Sequence, residues 1–188
     1  AASDVYKRQA PDLVIDPRFN EVQTDEQIDV MMPILIERDP RFADLVTAMN
    51  TDTKSFQKII ETVFNYWVSP ECDIGGIQSW ADYSGGVVSA FEGAMASAKS
   101  GTDTAIFTSG GTIATMVGHV LKLTSDRVYE FYEPVFNCSI TRIIFNSRKC
   151  SLSTFNDVGH LHLMSAQLQE RLVTCLLYTS DAADDDRG

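Results

Sequence analysis

The stretch TAIFTSGGTIATMVGHVL, residues 104–121, decides the fold. Its first five residues are short and β-favouring, and they run without a linker into Ser109-Gly110-Gly111 and then into a segment of helical character from Thr112 to Leu121. The order predicts a strand over Thr104–Thr108, a tight turn and a helix. Such a unit leaves the first amides of the helix without partners and points them into the crevice at the strand's carboxyl end. Anions bind in that position, and the helix dipole favours them. Gly110 and Gly111 permit close backbone approach, while the hydroxyls of Ser109 and Thr112 add donors suited to phosphate oxygens. A purely structural turn is the commoner explanation of a lone Gly-Gly pair, so the pattern alone leaves the phosphate cradle as the lesser of two open readings. Two other motifs fail. A nucleophile elbow needs glycine two residues before the serine, where Phe107 stands, and a Walker-type loop needs a lysine after the glycines.

Upstream, the chain reads as helical. Ile28, Met31, Met32, Leu35 and Ile36 give Asp25–Arg38 a helical period, with Pro33 set to kink or reset it. Pro40–Met49 is a second short helix. From Asp52 or Thr53 to Trp67, the positions Phe56, Ile59, Ile60, Val63, Phe64 and Trp67 keep three-four spacing closely. Ser69–Gly76 is a loop, and Gln78–Lys99 is a long helix with Trp80, Val87, Val88, Phe91, Ala94 and Met95 inward, ended by Ser100-Gly101. Downstream, a helix is predicted over Ser125–Phe131 with Ser125 as its cap. Ser139–Asn146 and Cys150–Phe155, joined by Asn146-Ser147-Arg148-Lys149, read as a hairpin. Early crossovers and a late hairpin make an α/β domain with an antiparallel edge.

The bulk properties narrow the function classes. The 188 residues suit one domain, with 44% hydrophobic residues to build its core. A formal net charge of −11 speaks against nucleic acid, which is held by clustered Lys and Arg, but not against a small phosphorylated ligand gripped by a few local donors. No apolar run reaches the length of a membrane span, and the N-terminus lacks the pattern of a signal peptide, so no membrane partner is expected. Cys72, Cys138, Cys150 and Cys175 are scattered without a CxxC, which fits reduced thiols in the cytoplasm. His119 falls inside the helix that follows the glycines and reads as a helix-surface residue. His160 and His162 alternate, which would put both on one face of an extended segment, but no third ligand follows at a metal-site spacing. Neither a metal nor a cofactor is expected. The acids of Asp25–Asp29 read as a solvated helix start.

The two ends carry a signature of their own. Residues 1–9, AASDVYKRQ, back-translate without forcing any codon to GCA GCG TCA GAT GTG TAT AAG AGA CAG, which resembles a transposon adapter of sequencing libraries. The reverse complement of that DNA, one base into the frame, encodes CLLYTSDAA, and Cys175–Ala183 is that peptide. Residues 1–9 and 175–188 are therefore expected to be adapter-derived. The domain itself is expected over 10–174, truncated at both ends and still acidic.

IFTSGGTIATMVGHVL at 106–121, FNCSITRIIFN at 136–146 and SLSTFNDVGHL at 151–161 resemble the C-terminal half of histidine-phosphatase, or phosphoglycerate-mutase-like, domains. Arg18-Phe19-Asn20-Glu21 is similar to the family's segment that ends in an acidic residue after the first strand and helix. The resemblance implies a three-layer sandwich on a mostly parallel sheet, here without its N-terminal strand, and a helical lid over residues 25–76 that selects a small phosphorylated substrate. It implies phosphoryl transfer through a phosphohistidine whose histidine, in an Arg-His-Gly motif, would lie upstream of this fragment. The fragment alone is expected to be inactive, and loss of a central strand should leave apolar edges exposed. Glu21 takes the place of the general acid that protonates the leaving oxygen. Ser109 stands where the family has the second histidine of a His-Gly-Gly motif, as a hydrogen-bond donor without an imidazolium's charge. Thr108, Gly110, Gly111 and Thr112 are implied to bind substrate. Thr-Ser-Gly-Gly resembles a branch of the same superfamily. Hydrolysis is favoured over mutase chemistry, since no feature for re-binding an intermediate is identified. The alternatives are a non-catalytic phosphoester-binding module and an α/β scaffold whose Gly-Gly turn is structural.

Overall fold

Two of the α-helix starts are fixed by short polar side chains in a computed structural model that describes residues 13–49 and 51–163. Helix α1 spans Thr24–Arg38, α2 Arg41–Ala48, α3 Thr53–Trp67 and α4 Trp80–Ser97. Asp52 caps α3 by accepting from the amides of Lys54 at 3.3 Å and Ser55 at 2.9 Å, and its bond from the Ser55 hydroxyl holds the carboxyl below the usual range. Ser79 caps α4 by accepting from the Asp82 amide at 3.1 Å while its hydroxyl donates to the Asp82 carboxylate at 2.8 Å. Pro33 sits within α1 without ending it. The apolar stripe survives the proline, with Met31 and Leu35 buried and Ile28, Met32 and Ile36 packed against the core.

The four helices meet α5, Gly110–Leu121, around one hydrophobic core. Met31, Ile59, Val63, Val87 and Val117 are its largest fully enclosed apolar residues. An aromatic group surrounds Phe64. Trp67, Trp80, Tyr129 and Tyr132 lie with ring centroids 5.2–5.9 Å from it. Both indoles are satisfied, Trp67 donating to the Gln78 carbonyl and Trp80 to the Ser125 hydroxyl, each at 2.8 Å. That second bond accounts for a difference from the expected Ser125–Phe131 helix. With its hydroxyl engaged by Trp80, Ser125 does not cap; it begins a 3-10 turn, Ser125–Arg127, and a short α6 follows at Tyr129–Tyr132.

Helix α5 ends in a left-handed residue that is not glycine. Lys122 has φ 58°, its amide donates to the His119 carbonyl at 3.2 Å, and the Leu123 amide reaches the Gly118 carbonyl at 2.9 Å. These two bonds form a Schellman termination. Strands β1, Ile140–Phe145, and β2, Cys150–Asp157, pair antiparallel with Phe145 opposite Cys150 and Ile143 opposite Leu152. Asn146 builds their turn, its side-chain oxygen accepting from the amides of Arg148 at 2.8 Å and Lys149 at 2.9 Å.

The expected mostly parallel sheet is not found among the described residues, where β1 and β2 are the only paired strands. Residues 104–108 are assigned to no strand, since among the described residues no strand pairs with them to accept and donate ladder bonds. Phe107 is 90% exposed there, and Leu13, Val14 and Ile15 are 81–85% exposed. The expected extended HLH segment is also absent, since Gly159–Leu163 winds into a 3-10 turn whose start is held by Asp157 accepting from the Gly159 amide at 2.7 Å. The two end segments, 1–9 and 175–188, lie outside the described residues. No helix among the described residues is long and apolar enough to cross a membrane.

Candidate active site

Two segments far apart in sequence are clamped together at the start of α5. Asp16 accepts from the Arg18 amide at 3.0 Å and shapes a 3-10 turn over Pro17–Phe19, while the Arg18 guanidinium grips Asp16 at 2.6 and 2.9 Å and reaches Ser89 on α4 at 3.2 Å. Thr108 then donates to the Phe19 carbonyl at 2.6 Å, and Thr112 donates to the Asn20 carbonyl at 3.0 Å. Glu21 follows directly. Its carboxylate accepts from the Val22 amide at 2.8 Å and lies over the first turn of α5.

The glycines are explained by this packing. A methyl on Gly111 would stand 2.6 Å from the Glu21 Oε1 and 3.0 Å from Val22, and one on Gly110 would stand 3.3 Å from the Tyr132 ring. Neither position has a left-handed backbone, so close approach is what requires glycine here. The helix leaves the amides of Gly110, Gly111 and Thr112 without an intrahelical acceptor. They are the donors available to an anion, in the positive end of the helix dipole.

The hydroxyls have other duties. Thr112 is fully buried, and because its single proton goes to the Asn20 carbonyl, the Tyr83 hydroxyl 3.0 Å away must donate to it. Tyr83, Thr112 and Asn20 form one relay that holds the backbone beside Glu21. Burial pushes the Tyr83 phenol well above its ordinary range; the bond with Thr112 opposes that shift, and the charge of Glu21 adds to it. Tyr132 is raised in the same way by burial and by Glu21. Tyr83 and Tyr132 thus flank the carboxylate. Sequence spacing held one clue to Tyr83, which falls on the inward stripe Trp80, Tyr83, Val87, Phe91. Nothing local marked Tyr132.

Ser109 occupies the cap position of α5 without making a side-chain cap bond. Its hydroxyl is shielded from solvent and has no hydrogen-bond partner among the described residues. A bond to a group in the crevice would end the cost of that unpaired buried hydroxyl. His119 lies about 13 Å along α5 from Gly110, at the surface, with Nε2 3.3 Å from a Glu92 carboxylate oxygen. His160 is exposed, and among the described residues no group of three or more His, Cys, Asp or Glu side chains is placed to hold a metal.

No curated protein and no solved structure matches the chain. A family model does, that of the histidine phosphatase superfamily (branch 1), over residues 21–158. The match begins at the carboxylate that lies on α5 and runs through the Gly-Gly turn to the end of the hairpin; the chain belongs to the histidine phosphatase superfamily.

Proposed function

We propose that this chain is the acid-bearing part of a phosphomonoester hydrolase that works through a phosphohistidine, with the histidine upstream of residue 10. Membership of a superfamily of phosphatases and phosphomutases makes phosphoryl transfer the general chemistry. The observation that carries the finer reading is the Glu21 carboxylate held against Gly111 at the amino end of α5. The free amides of Gly110–Thr112 would bind phosphoryl oxygens, and Glu21 beside them would protonate the leaving oxygen. Water then attacks the phosphohistidine. The helices of residues 25–76 would close over the substrate. Ser109 would add one donor, without the positive charge of an imidazolium.

Ser109 also favours a second reading, a phosphoester-binding module without turnover, because transition-state charge is stabilised less well by a neutral hydroxyl. Extending the reading frame upstream in the parent DNA separates the two. We expect an Arg-His-Gly motif directly after a strand, and an acid-labile, alkali-stable phosphoenzyme during turnover of a generic phosphomonoester. A restored sequence without that motif contradicts hydrolysis through phosphohistidine.

A further inference from the structure

Helix α5 is about 18 Å long, and at the end opposite Glu21 its carboxyl terminus meets the turn of the β1–β2 hairpin. Gly118, His119, Val120, Lys122 and Leu123 on one side and Arg148, Lys149, Cys150 and Ser151 on the other enclose a cleft of about 700 Å³. No Asp or Glu lines it, in a chain whose net charge is −11. Among the described residues, Lys122, Arg148 and Lys149 take part in no ion pair, and His119 meets the Glu92 carboxylate at 3.3 Å.

A second cleft shows that this arrangement is not the rule for cations here. Between α1, α2 and α3, a space of about 460 Å³ is also lined by Arg38, Arg41 and Lys58, but Arg38 is neutralised by Glu71 at 3.0 Å and Arg41 by Asp39 at 2.9 Å. At the α5 cleft the charge is uncompensated. It is also carried on ordered backbone. The Schellman termination fixes Lys122, and the Asn146 side chain fixes the amides of Arg148 and Lys149.

We propose that this cleft is a second anion site, for a small soluble ligand bearing several phosphoryl groups. Three unpaired cations suit a multiply charged ligand better than a single carboxylate, since the Arg148 guanidinium offers paired donors and the lysines supply point charges. The volume falls within the range of small-molecule sites. The site is independent of the phosphoryl-transfer reading at the other end of the helix.

Inorganic tripolyphosphate is the probe, followed by amide NMR of the whole chain. We expect shifts at Leu123 and Arg148–Ser151, and an affinity that falls at least about tenfold in the R148Q/K149Q double variant. These side chains project from an exposed turn, so folding is not at stake. R142Q removes the same type of charge from an exposed residue outside the cleft and should leave the affinity unchanged. Unchanged binding in the double variant, equal weakening in R142Q, or shifts confined to Gly110–Thr112 would each overturn the proposal.

Discussion

The Glu21 carboxylate fills the space that a side chain on residue 111 would need, with Oε1 2.6 Å from the position of a methyl there. Glycine at 111 and the acid at 21 are therefore one structural unit. Gly111→Ala is expected to displace the carboxylate and to cost about 1–3 kcal/mol through crowding. Part of that cost should vanish when Glu21→Ala removes the obstructing oxygen, leaving the 3.0 Å approach to Val22. A double-mutant cycle by chemical denaturation measures the coupling; strictly additive effects would show that the two residues do not meet.

The Tyr83–Thr112–Asn20 relay predicts a second coupling. Thr112→Val keeps the shape but removes the donor to the Asn20 carbonyl and the acceptor of the Tyr83 hydroxyl, and should cost about 1–3 kcal/mol. Tyr83→Phe should cost less in the Thr112→Val background than in the native chain. Equal costs in both backgrounds would remove Tyr83 from the relay.

Buried phenols also set the alkaline limit of stability. The Tyr83 and Tyr129 phenols are raised from the ordinary 10.0, chiefly by burial in both cases. The unfolded chain therefore releases their protons first. Their contribution is fully present below about pH 10 and is lost as pH rises toward the folded values. Burial also raises the Cys72 and Cys150 thiols from 9.0, so urea titrations between neutral pH and pH 11 should show unfolding free energy falling from about pH 9 and more steeply above about pH 10, the steep part reduced in Tyr83→Phe. A slope indifferent to that substitution would contradict the assignment.

Lys122 holds a left-handed conformation that glycine adopts without strain. Lys122→Gly is expected to raise stability by about 1 kcal/mol, read as a higher denaturation midpoint at unchanged slope. Destabilisation would mean that the lysine side chain makes contacts worth more than the strain.

The local elements of this chain were readable because their causes are local. Period switching between Thr108 and Thr112 marks the turn, Asp52 marks a helix start, and Asn146 marks the hairpin. That residues 104–108 pair with no strand among the described residues was not readable, since a ladder depends on a neighbour rather than on β-favouring residues. Glu21 came from a resemblance and not from any spacing. The Thr112 hydroxyl looked like a phosphate donor and Thr108 was implied to bind substrate, yet their hydroxyls serve the carbonyls of Asn20 and Phe19, partners about ninety positions away that no local pattern announces. For the same reason Tyr132 against Gly110 became visible only in the fold.

The most direct test is Glu21→Gln in a parent chain carrying the upstream segment that the proposed function assigns to it. The amide keeps the shape over Gly111 and removes the transferable proton. We predict that kcat for a phosphomonoester with a poor leaving group falls about 10²–10⁴-fold while inorganic phosphate binds nearly as before. Undiminished kcat in the glutamine variant would contradict the account.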